Sequence, residues 1–195
     1  VAEFRVRDLA AGGQGGPLAP AFHPAVFTRP EEAVAVLNLG GIANLSLLPA
    51  GADERAPVVG FDCGPANALM DHWCERHLGQ PYDADGRWAA AGTVQTELLA
   101  KLLGDPFFAK PPPKSTGRDL FNPAWLARHL ADDTSAPVDV QATLAEFTVQ
   151  AVVDSLQRFG AASKHLVVCG GGALNAHLLA RLQALLAQLK GGSSA

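Results

Sequence analysis

The 195-residue sequence contains few cysteines, little charge of either sign and no long apolar run. Its three cysteines, Cys63, Cys74 and Cys169, are odd in number and stand among apolar residues. This usage is typical of the reducing cytoplasm, where disulfide frameworks are rare. Since no apolar run is long enough to cross a bilayer and the net charge is −4, the sequence predicts neither a membrane nor a nucleic acid as partner.

Two familiar kinds of site are missing as well. The sequence contains no G-x-x-x-x-G-K-[ST] phosphate-binding loop. His72 and His77 are five residues apart on a predicted helix and do not face each other as zinc ligands do, so no metal is assigned to protein side chains. What the sequence does contain is 48% apolar residues, enough for a sizeable core, and 20 glycines, many of them in clusters.

The most informative stretch runs from Val58 to Asp71. It predicts a short apolar strand that stops at Asp62, a turn through Gly64 and Pro65, and an amphipathic helix over residues 67–78. A lone carboxylate at the carboxyl end of a strand, facing a helix N-terminus, is placed where open α/β sheets bind ligands. The alternative is that Asp62 only caps the helix, since aspartate is a favoured N-cap.

The flanking sequence predicts further strands and helices. Apolar runs over 33–38 and 42–48 on either side of Gly40-Gly41 predict a hairpin with Asn38 and Asn44 near its turn, although a hairpin needs no ligand. The remaining patterns predict helices over 88–103 and 138–159, the second capped by Asp139, a strand over 165–169, and a helix that starts at Ala173 and carries Asn175.

Three loops are candidates for ligand contacts, each with a plainer alternative. The glycine-dense loop at 12–16 follows polar residues and lets backbone N–H groups approach a ligand, or it is a flexible linker. The turn from Lys114 to Arg118 can hold a phosphate or orient a sugar, or it is a solvated basic turn. The glycines at 170–172 permit close approach of a nucleotide, or serve tight strand–helix packing.

The order of these elements predicts the fold class. Three strands, a helix, a helical insertion, a long helix, a strand and a last helix match an incomplete α/β, ribonuclease-H-like (actin-like ATPase) domain, with a mixed sheet flanked by helices. We divide the chain into an extended segment over 1–30, a domain over 31–190 with a helical insertion at 79–135, and a flexible tail over 191–195.

Five runs of the sequence resemble the anhydro-N-acetylmuramic acid kinases, which belong to the actin-like sugar kinases. The resemblance extends in order from about residue 1 to about residue 182. The runs that carry it are Asp8–Gly15, Asn38–Asn44, Gly60–Asn67, Pro112–Arg118 and Val168–Asn175.

The resemblance implies a cytoplasmic enzyme of bacterial cell-wall recycling, commonly a homodimer. It implies that ATP, Mg²⁺ and one water convert 1,6-anhydro-N-acetylmuramic acid into N-acetylmuramic acid 6-phosphate, with Asp62 as the general base that activates the water. The other implied contacts are Arg7, Asp8, Gly12, Gly13, Gln14 and Gly15 to the sugar, Asn38, Gly40 and Gly41 to the phosphates, and Gly170, Gly171, Gly172 and Asn175 to the nucleotide.

One departure from the family pattern limits the expected activity. These kinases carry a Ser-Gly-Thr-Ser-x-Asp-Gly segment that holds the phosphates, and the 195 residues contain no such run. We therefore expect this chain alone to have little or no kinase activity, because phosphoryl transfer depends on positioning and charge neutralisation. The alternatives are a non-catalytic remnant that binds sugar or nucleotide, an actin-like scaffold, and a glycoside hydrolase that pairs Asp62 with Asp71 or Glu75.

Overall fold

A computed structural model describes residues 31–50 and 58–191. The predicted sugar contacts Arg7, Asp8, Gly12, Gly13, Gln14 and Gly15 lie outside the described residues. The strands are β1 (Val34–Leu39), β2 (Ile42–Leu48), β3 (Val59–Pro65) and β4 (His165–Cys169). The α-helices are α1 (Asn67–Leu78), α2 (Arg87–Ala91), α3 (Thr96–Leu103), α4 (Pro106–Ala109), α5 (Pro123–His129), α6 (Pro137–Phe159) and α7 (Ala176–Gly191).

The four strands form one mixed sheet in the order β3-β2-β1-β4. β1 and β2 pair in antiparallel fashion across the Gly40-Gly41 turn, as the two apolar runs predicted, and β3 continues the antiparallel pattern. β4 lies parallel to β1, and a parallel neighbour needs a long crossover, which the helices between β3 and β4 provide. The α/β class and the mixed sheet predicted from the sequence are therefore confirmed.

The two faces of the sheet are unlike. Leu37, Leu45 and Phe61 point to one face, where they join the helices in the main hydrophobic core. Val34, Val36 and Leu48 point to the other face and form a small apolar cluster with residues of β4. Because side chains alternate along a strand, one register fixes both faces, and the polar side chains described below follow the second face.

The long helix α6 is the central element of the helical layer and spans 23 residues. It starts at Pro137, which occupies the first turn with no N–H to leave unsatisfied, and its N-cap is Ala136. The prediction that Asp139 caps this helix is wrong. Asp139 instead accepts a hydrogen bond from the backbone N–H of Thr93 at 2.7 Å, which ties the preceding loop to the helix.

Two other predicted helices have different bounds. The helix expected over 88–103 is broken into α2 and α3 at Gly92, where a Cβ atom would collide with the carbonyl of Val138 on α6. The last helix begins at Ala176 instead of Ala173, because Gly171–Leu174 forms a 3₁₀ turn first.

The helices of the predicted insertion at 79–135 pack into the main core. Leu102, Phe107 and Trp125 from this segment belong to the same buried cluster as Phe147 of α6. The division into a segment over 1–30, a domain over 31–190 with this insertion, and a tail over 191–195 stays a prediction. Along 31–50 and 58–191, no helix is both long enough and apolar enough to span a bilayer.

Candidate functional site

Asp62 lies inside β3 and not at its end. The strand continues to Pro65, and helix α1 begins at Asn67 with Ala66 as its N-cap and no side-chain cap. The prediction of a strand that stops at Asp62, with Pro65 in the first helical turn, is therefore wrong, and so is the alternative that Asp62 caps the helix. Its side chain needs another explanation.

A brace formed by residues 114–116 holds Asp62 from the edge of the sheet. The backbone N–H of Thr116 donates to Asp62 Oδ2 at 2.8 Å, and the Ser115 hydroxyl donates to the same oxygen at 3.2 Å. The Asp62 N–H donates in turn to the Lys114 carbonyl at 3.0 Å. Donors aimed at a carboxylate stabilise its charged form, and this side chain is only 5% exposed.

Lys114, the first residue of this brace, is buried. Its ammonium group lies 4.6 Å from the ring centroid of Phe107, and the residue is only 5% exposed. Burial lowers the pKa of Lys114, although the neighbouring Cys63 and Asp62 act to raise it. The alternative of a solvated basic turn is therefore wrong for Lys114, although Ser115 and Arg118 are exposed.

Arg118 comes close to the hairpin turn. A Cβ atom placed on Gly41 would lie 3.7 Å from the Arg118 guanidinium group, so the arginine lies against this glycine. An arginine beside a glycine turn can pair with a phosphate in two parallel hydrogen bonds. The structure thus brings the 114–118 turn to two predicted site residues, Asp62 and Gly41, which are far from it in sequence.

One row of side chains crosses the sheet on its second face. Cys169 is paired with Asn38, Asn38 with Asn44, and Asn44 with Asp62, in the registers of three adjacent strand pairs. The register shifts by one residue between Ala43 and Asn44, which leaves Cys63 as the extra residue of a β-bulge beside Asp62. Bulges often re-aim a side chain next to an active site.

The glycine turn at 170–172 meets this row at Asn38. Gly170 has φ of 85°, and a Cβ atom there would collide with Asn38 Oδ1. Glycine is therefore required both for the backbone conformation and for the close approach. The predicted site residues Asn38 and Gly170 are thus in contact, while Asp62 lies two strand spacings from Asn38, about 10 Å.

The N-terminus of α1 faces the hairpin turn, but three of its first N–H groups are already used. Asn67 donates to the Gly40 carbonyl at 3.0 Å, and Ala66 and Ala68 donate to the Gly41 carbonyl at 3.0 and 3.2 Å. The expectation that these N–H groups attract an anion is corrected accordingly. The carbonyls of Gly40 and Gly41 therefore hold the helix end in place.

A cavity of about 310 Å³ opens beside the glycine turn. Its walls include three predicted nucleotide contacts, Gly171, Gly172 and Asn175. The sequence interpretation did not assign the other lining residues, which are Asn67, Asp71, Tyr82, Asp83, Asp85 and Leu174. Leu174 is 82% exposed and Tyr82 60% exposed, so an apolar and an aromatic side chain stand uncovered at the rim.

The acids of this cavity differ in their environments. Asp83 accepts the backbone N–H groups of Trp88 and Ala89, both at 2.9 Å, and so holds the start of α2. Asp85 pairs with Arg87 at the surface. Burial raises the pKa of Asp71 to about 6, against the lowering effect of Arg118. The turn at 82–86 holds two acids, Asp83 and Asp85, beside a glycine, and this is the sequence signal that could have marked it as a wall of the cavity.

The chain belongs to the anhydro-N-acetylmuramic acid kinase family. The model of this family, AnmK, matches residues 1–195. The anhydro-N-acetylmuramic acid kinase of Variovorax paradoxus is 64% identical over 188 residues, which cover 95% of this chain and 50% of that protein. The enzyme of the same name from Pseudomonas putida is 54% identical over 187 residues, covering 95% of this chain and 50% of the relative. The chain thus spans about half the length of these relatives.

Two solved structures have similar folds at low sequence identity. Component A of the Acidaminococcus fermentans (R)-2-hydroxyglutaryl-CoA dehydratase is 13% identical, with a TM-score of 0.48 over 78% of this chain and 52% of the other. A xylulose kinase from Brucella ovis is 15% identical, with a TM-score of 0.44 over 80% of this chain and 34% of the other.

Membership of a kinase family implies ATP as a cofactor, and the described residues of this chain fit a nucleotide at the 310 Å³ cavity. Glycines form one wall, polar side chains another, and Tyr82 and Leu174 offer apolar surface to a base. Within residues 31–50 and 58–191, no three His, Cys, Asp or Glu side chains cluster as a metal cage. Mg²⁺ commonly takes only one or two carboxylates and is otherwise bound by phosphates and water.

Proposed function

We propose that this chain supplies the base-bearing half of an ATP-dependent kinase that opens 1,6-anhydro-N-acetylmuramic acid and phosphorylates it at O6. The observation that carries the proposal is the row from Asn38 through Asn44 to Asp62. It begins at the glycine turn of the nucleotide cavity and ends at the braced carboxylate. ATP and the sugar, bound end to end along this row, would have the phosphate and the sugar together next to Asp62.

The nucleotide occupies the cavity of Gly171, Gly172 and Asn175 in this proposal. Its base packs against the uncovered side chains of Tyr82 and Leu174. Its phosphates follow the second face of the sheet past Asn38 towards Gly40 and Gly41, with Arg118 close to that turn. A divalent metal bound to the phosphates would neutralise their charge. Asp71 is the cavity acid on whose pKa Arg118 has a lowering effect.

Asp62 acts as a general base. It takes a proton from a water molecule whose oxygen attacks C1 of the anhydro sugar, and the C1–O6 bond breaks. O6 then forms its bond to the γ-phosphorus of ATP as the bond to ADP breaks. A general base of this kind contributes about 10²–10⁴-fold to the rate. The hydrogen bonds from Ser115 and Thr116 hold the carboxylate in one orientation for this step.

The hydrolase alternative has no support in the geometry. A glycosidase needs two carboxylates that flank one bond. Asp71 and Glu75 share a cavity of about 390 Å³ with Arg118, but Asp62 is not among the residues that line it. Asp71 lines the nucleotide cavity as well, which fits a role near phosphates better than one near Asp62.

The test uses a chimera in which this chain replaces the matching region of the Variovorax paradoxus relative. We expect the chimera to release ADP only when both the anhydro sugar and ATP are present, and the isolated chain to bind ADP in calorimetry without turnover. A folded chimera without turnover would refute the proposed function. Turnover by the isolated chain would refute its dependence on the remaining half. Sugar hydrolysis without ATP would favour the hydrolase.

A homodimer and a cytoplasmic location stay predictions.

A further inference from the structure

We propose that Asn44 is a further residue of the reaction centre and that its side-chain oxygen holds the attacking water beside Asp62. The inference rests on the proposed function, because it assigns a partner to the water that Asp62 activates. Asn44 is directly opposite Asp62 in the β2–β3 register, so both side chains leave the same face of the sheet. Residues paired in this way have Cβ atoms about 4.5–5.5 Å apart.

Asn44 is buried but its amide oxygen has no partner. The residue is 8% exposed, and within residues 31–50 and 58–191 no hydrogen-bond donor reaches its Oδ1 atom. A buried carbonyl oxygen without a donor destabilises the fold, because it has lost its hydrogen bonds to water and gained none. An unpartnered oxygen on the row that leads to the base is explained if a bound ligand supplies the missing donor.

A second unsatisfied atom lies on the other side of Asp62. Thr116 Oγ1 is also buried without a hydrogen-bond partner in the described part of the chain, while the N–H of the same residue donates to Asp62 Oδ2 at 2.8 Å. β2 and the brace, which lie on opposite sides of β3 at Asp62, therefore each carry a buried polar atom without a partner. Buried polar atoms of this kind are commonly satisfied by a water molecule that makes two to four hydrogen bonds.

A water molecule matches these groups one for one. It donates one hydrogen to Asp62 and the other to Asn44 Oδ1, and it accepts a hydrogen bond from the Thr116 hydroxyl. One lone pair then remains for attack on C1. As the new O–C1 bond forms and the C1–O6 bond breaks, one proton passes to Asp62 and the other stays on the new hydroxyl group. Asn44 does not exchange a proton; it fixes the orientation of the nucleophile.

The rival explanation is that Asn44 is simply a structural residue of the hairpin. The two explanations predict opposite effects on stability. Replacement of a buried amide whose oxygen lacks a donor by an apolar group of similar shape is expected to be nearly neutral or stabilising, whereas loss of a fully satisfied group is destabilising. Asn44→Leu is this replacement, since leucine has nearly the same shape. Thr148→Val on α6 is the matched control, because the Thr148 hydroxyl is buried and has a partner, the Leu144 carbonyl at 3.0 Å.

The experiment measures kcat, KM and Tm for both variants in the chimera described above. For Asn44→Leu we expect kcat to fall about a hundredfold, KM for sugar and for ATP to stay within threefold, and Tm to be equal or higher. For Thr148→Val we expect a lower Tm and an unchanged kcat. Asn44→Ala serves as a second variant and should show the same loss of kcat.

The outcomes separate this inference from the function on which it rests. If the unmodified chimera has no turnover, the proposed function fails and the role of Asn44 fails with it. If the chimera is active and Asn44→Leu retains kcat within threefold, the function stands and the inference is overturned. A marked fall in Tm for Asn44→Leu would likewise overturn it, because it would show that the amide has a structural partner.

Discussion

The backbone N–H of Thr116 donates to Asp62 Oδ2 at 2.8 Å across 54 residues of sequence. The Ser115 hydroxyl reaches the same oxygen, so one carboxylate oxygen collects two donors from a single turn. Asp62 lies on an edge strand of the described sheet, and the brace takes the position that a further strand would occupy. The carboxylate is thus fixed by the fold before any ligand is bound, as a general base requires.

Asp62→Asn tests the role of the carboxylate itself. The amide has nearly the same shape and can still accept the Thr116 N–H, but it cannot take a proton from water. In the chimera we expect kcat to fall about 10²–10⁴-fold while sugar and ADP binding, measured by calorimetry, stay nearly unchanged. Asp132→Asn, on an exposed loop, is the control and should retain full activity. Loss of binding or of folding in Asp62→Asn would point to a structural role instead.

Ser115→Ala tests the brace. The hydroxyl donates to Asp62 Oδ2, so its removal takes away one of the two donors that orient the carboxylate. We expect kcat to fall by up to about tenfold and KM to stay unchanged, since Ser115 is exposed and water replaces part of the lost bond. Steady-state kinetics measure both constants, with Ser163→Ala as control. An unchanged kcat would show that the brace does not act on Asp62.

The sequence was sufficient for the hairpin, the helix α1 and β4, because their apolar periodicity and glycine turns are local signals. It misplaced the end of β3 because Cys63-Gly64-Pro65 has the composition of a turn. The strand can contain these residues because it lies at the edge of the sheet, where the missing N–H of a proline does not interrupt the hydrogen bonds between strands. The residues that brace Asp62 are 53 and 54 positions away, so no local pattern could reveal the contact.

The cavity that we propose for the nucleotide shows the same division between local and distant information. Gly171, Gly172 and Asn175 were predicted because three glycines after a buried strand are a local pattern. Tyr82 and Asp71 come from separate segments, and only the packing of α1 and the 82–86 turn against the glycine turn brings them together. Asn175 also has a local structural task, since its Oδ1 accepts the Leu178 N–H at 3.0 Å near the start of α7.

Two neighbouring glycines offer a matched pair of variants for this cavity. A Cβ atom on Gly171 would meet only Asn67 Nδ2, at 3.7 Å, whereas one on Gly172 would lie 2.7 Å from Leu39 Cβ. Gly171→Ala should therefore fold normally and weaken ADP binding about tenfold or more, because the methyl group enters the cavity wall. Gly172→Ala should lower stability by about 1–3 kcal/mol through overpacking. Calorimetry and thermal unfolding measure both, and unchanged ADP affinity in Gly171→Ala would place the nucleotide elsewhere.

Glu146→Gln tests the buried ion pair between α6 and α7. Glu146 is buried and Arg181 reaches both of its carboxylate oxygens, at 2.8 and 3.1 Å. Burial raises the pKa of Glu146, but the hydrogen bonds from Arg181 and Gln150 outweigh it and the net pKa is lowered. A lowered pKa gives stability that is present near neutral pH and lost as pH falls through the folded-state pKa.

We expect Glu146→Gln to reduce the free energy of unfolding at pH 7 by about 1–2 kcal/mol, because the partly exposed Arg181 regains water when the pair is broken. The difference from the unmodified chain should shrink in acid. Urea unfolding at pH 7 and at pH 4 measures both values. The exposed Glu97→Gln is the control. A loss of equal size at both pH values would show that packing, and not charge, is the cause.

Asp71→Asn should have the opposite dependence on pH. Burial raises the pKa of Asp71 to about 6 from an ordinary value of 3.8, so the folded chain holds this proton more tightly than the unfolded chain. Because the pKa is raised, burial of this carboxyl group costs least at pH values below the unfolded-state pKa of 3.8. The cost grows as pH rises from there to about 6, and it is fully present above that pH. The amide carries no such charge. We therefore expect Asp71→Asn to raise Tm at pH 8 and to leave it unchanged at pH 3.5, with Asp132→Asn as the control at both values. A variant that is less stable at pH 8 would show that the attraction between Asp71 and Arg118 outweighs the cost of burial, and that the carboxylate is charged when the nucleotide binds.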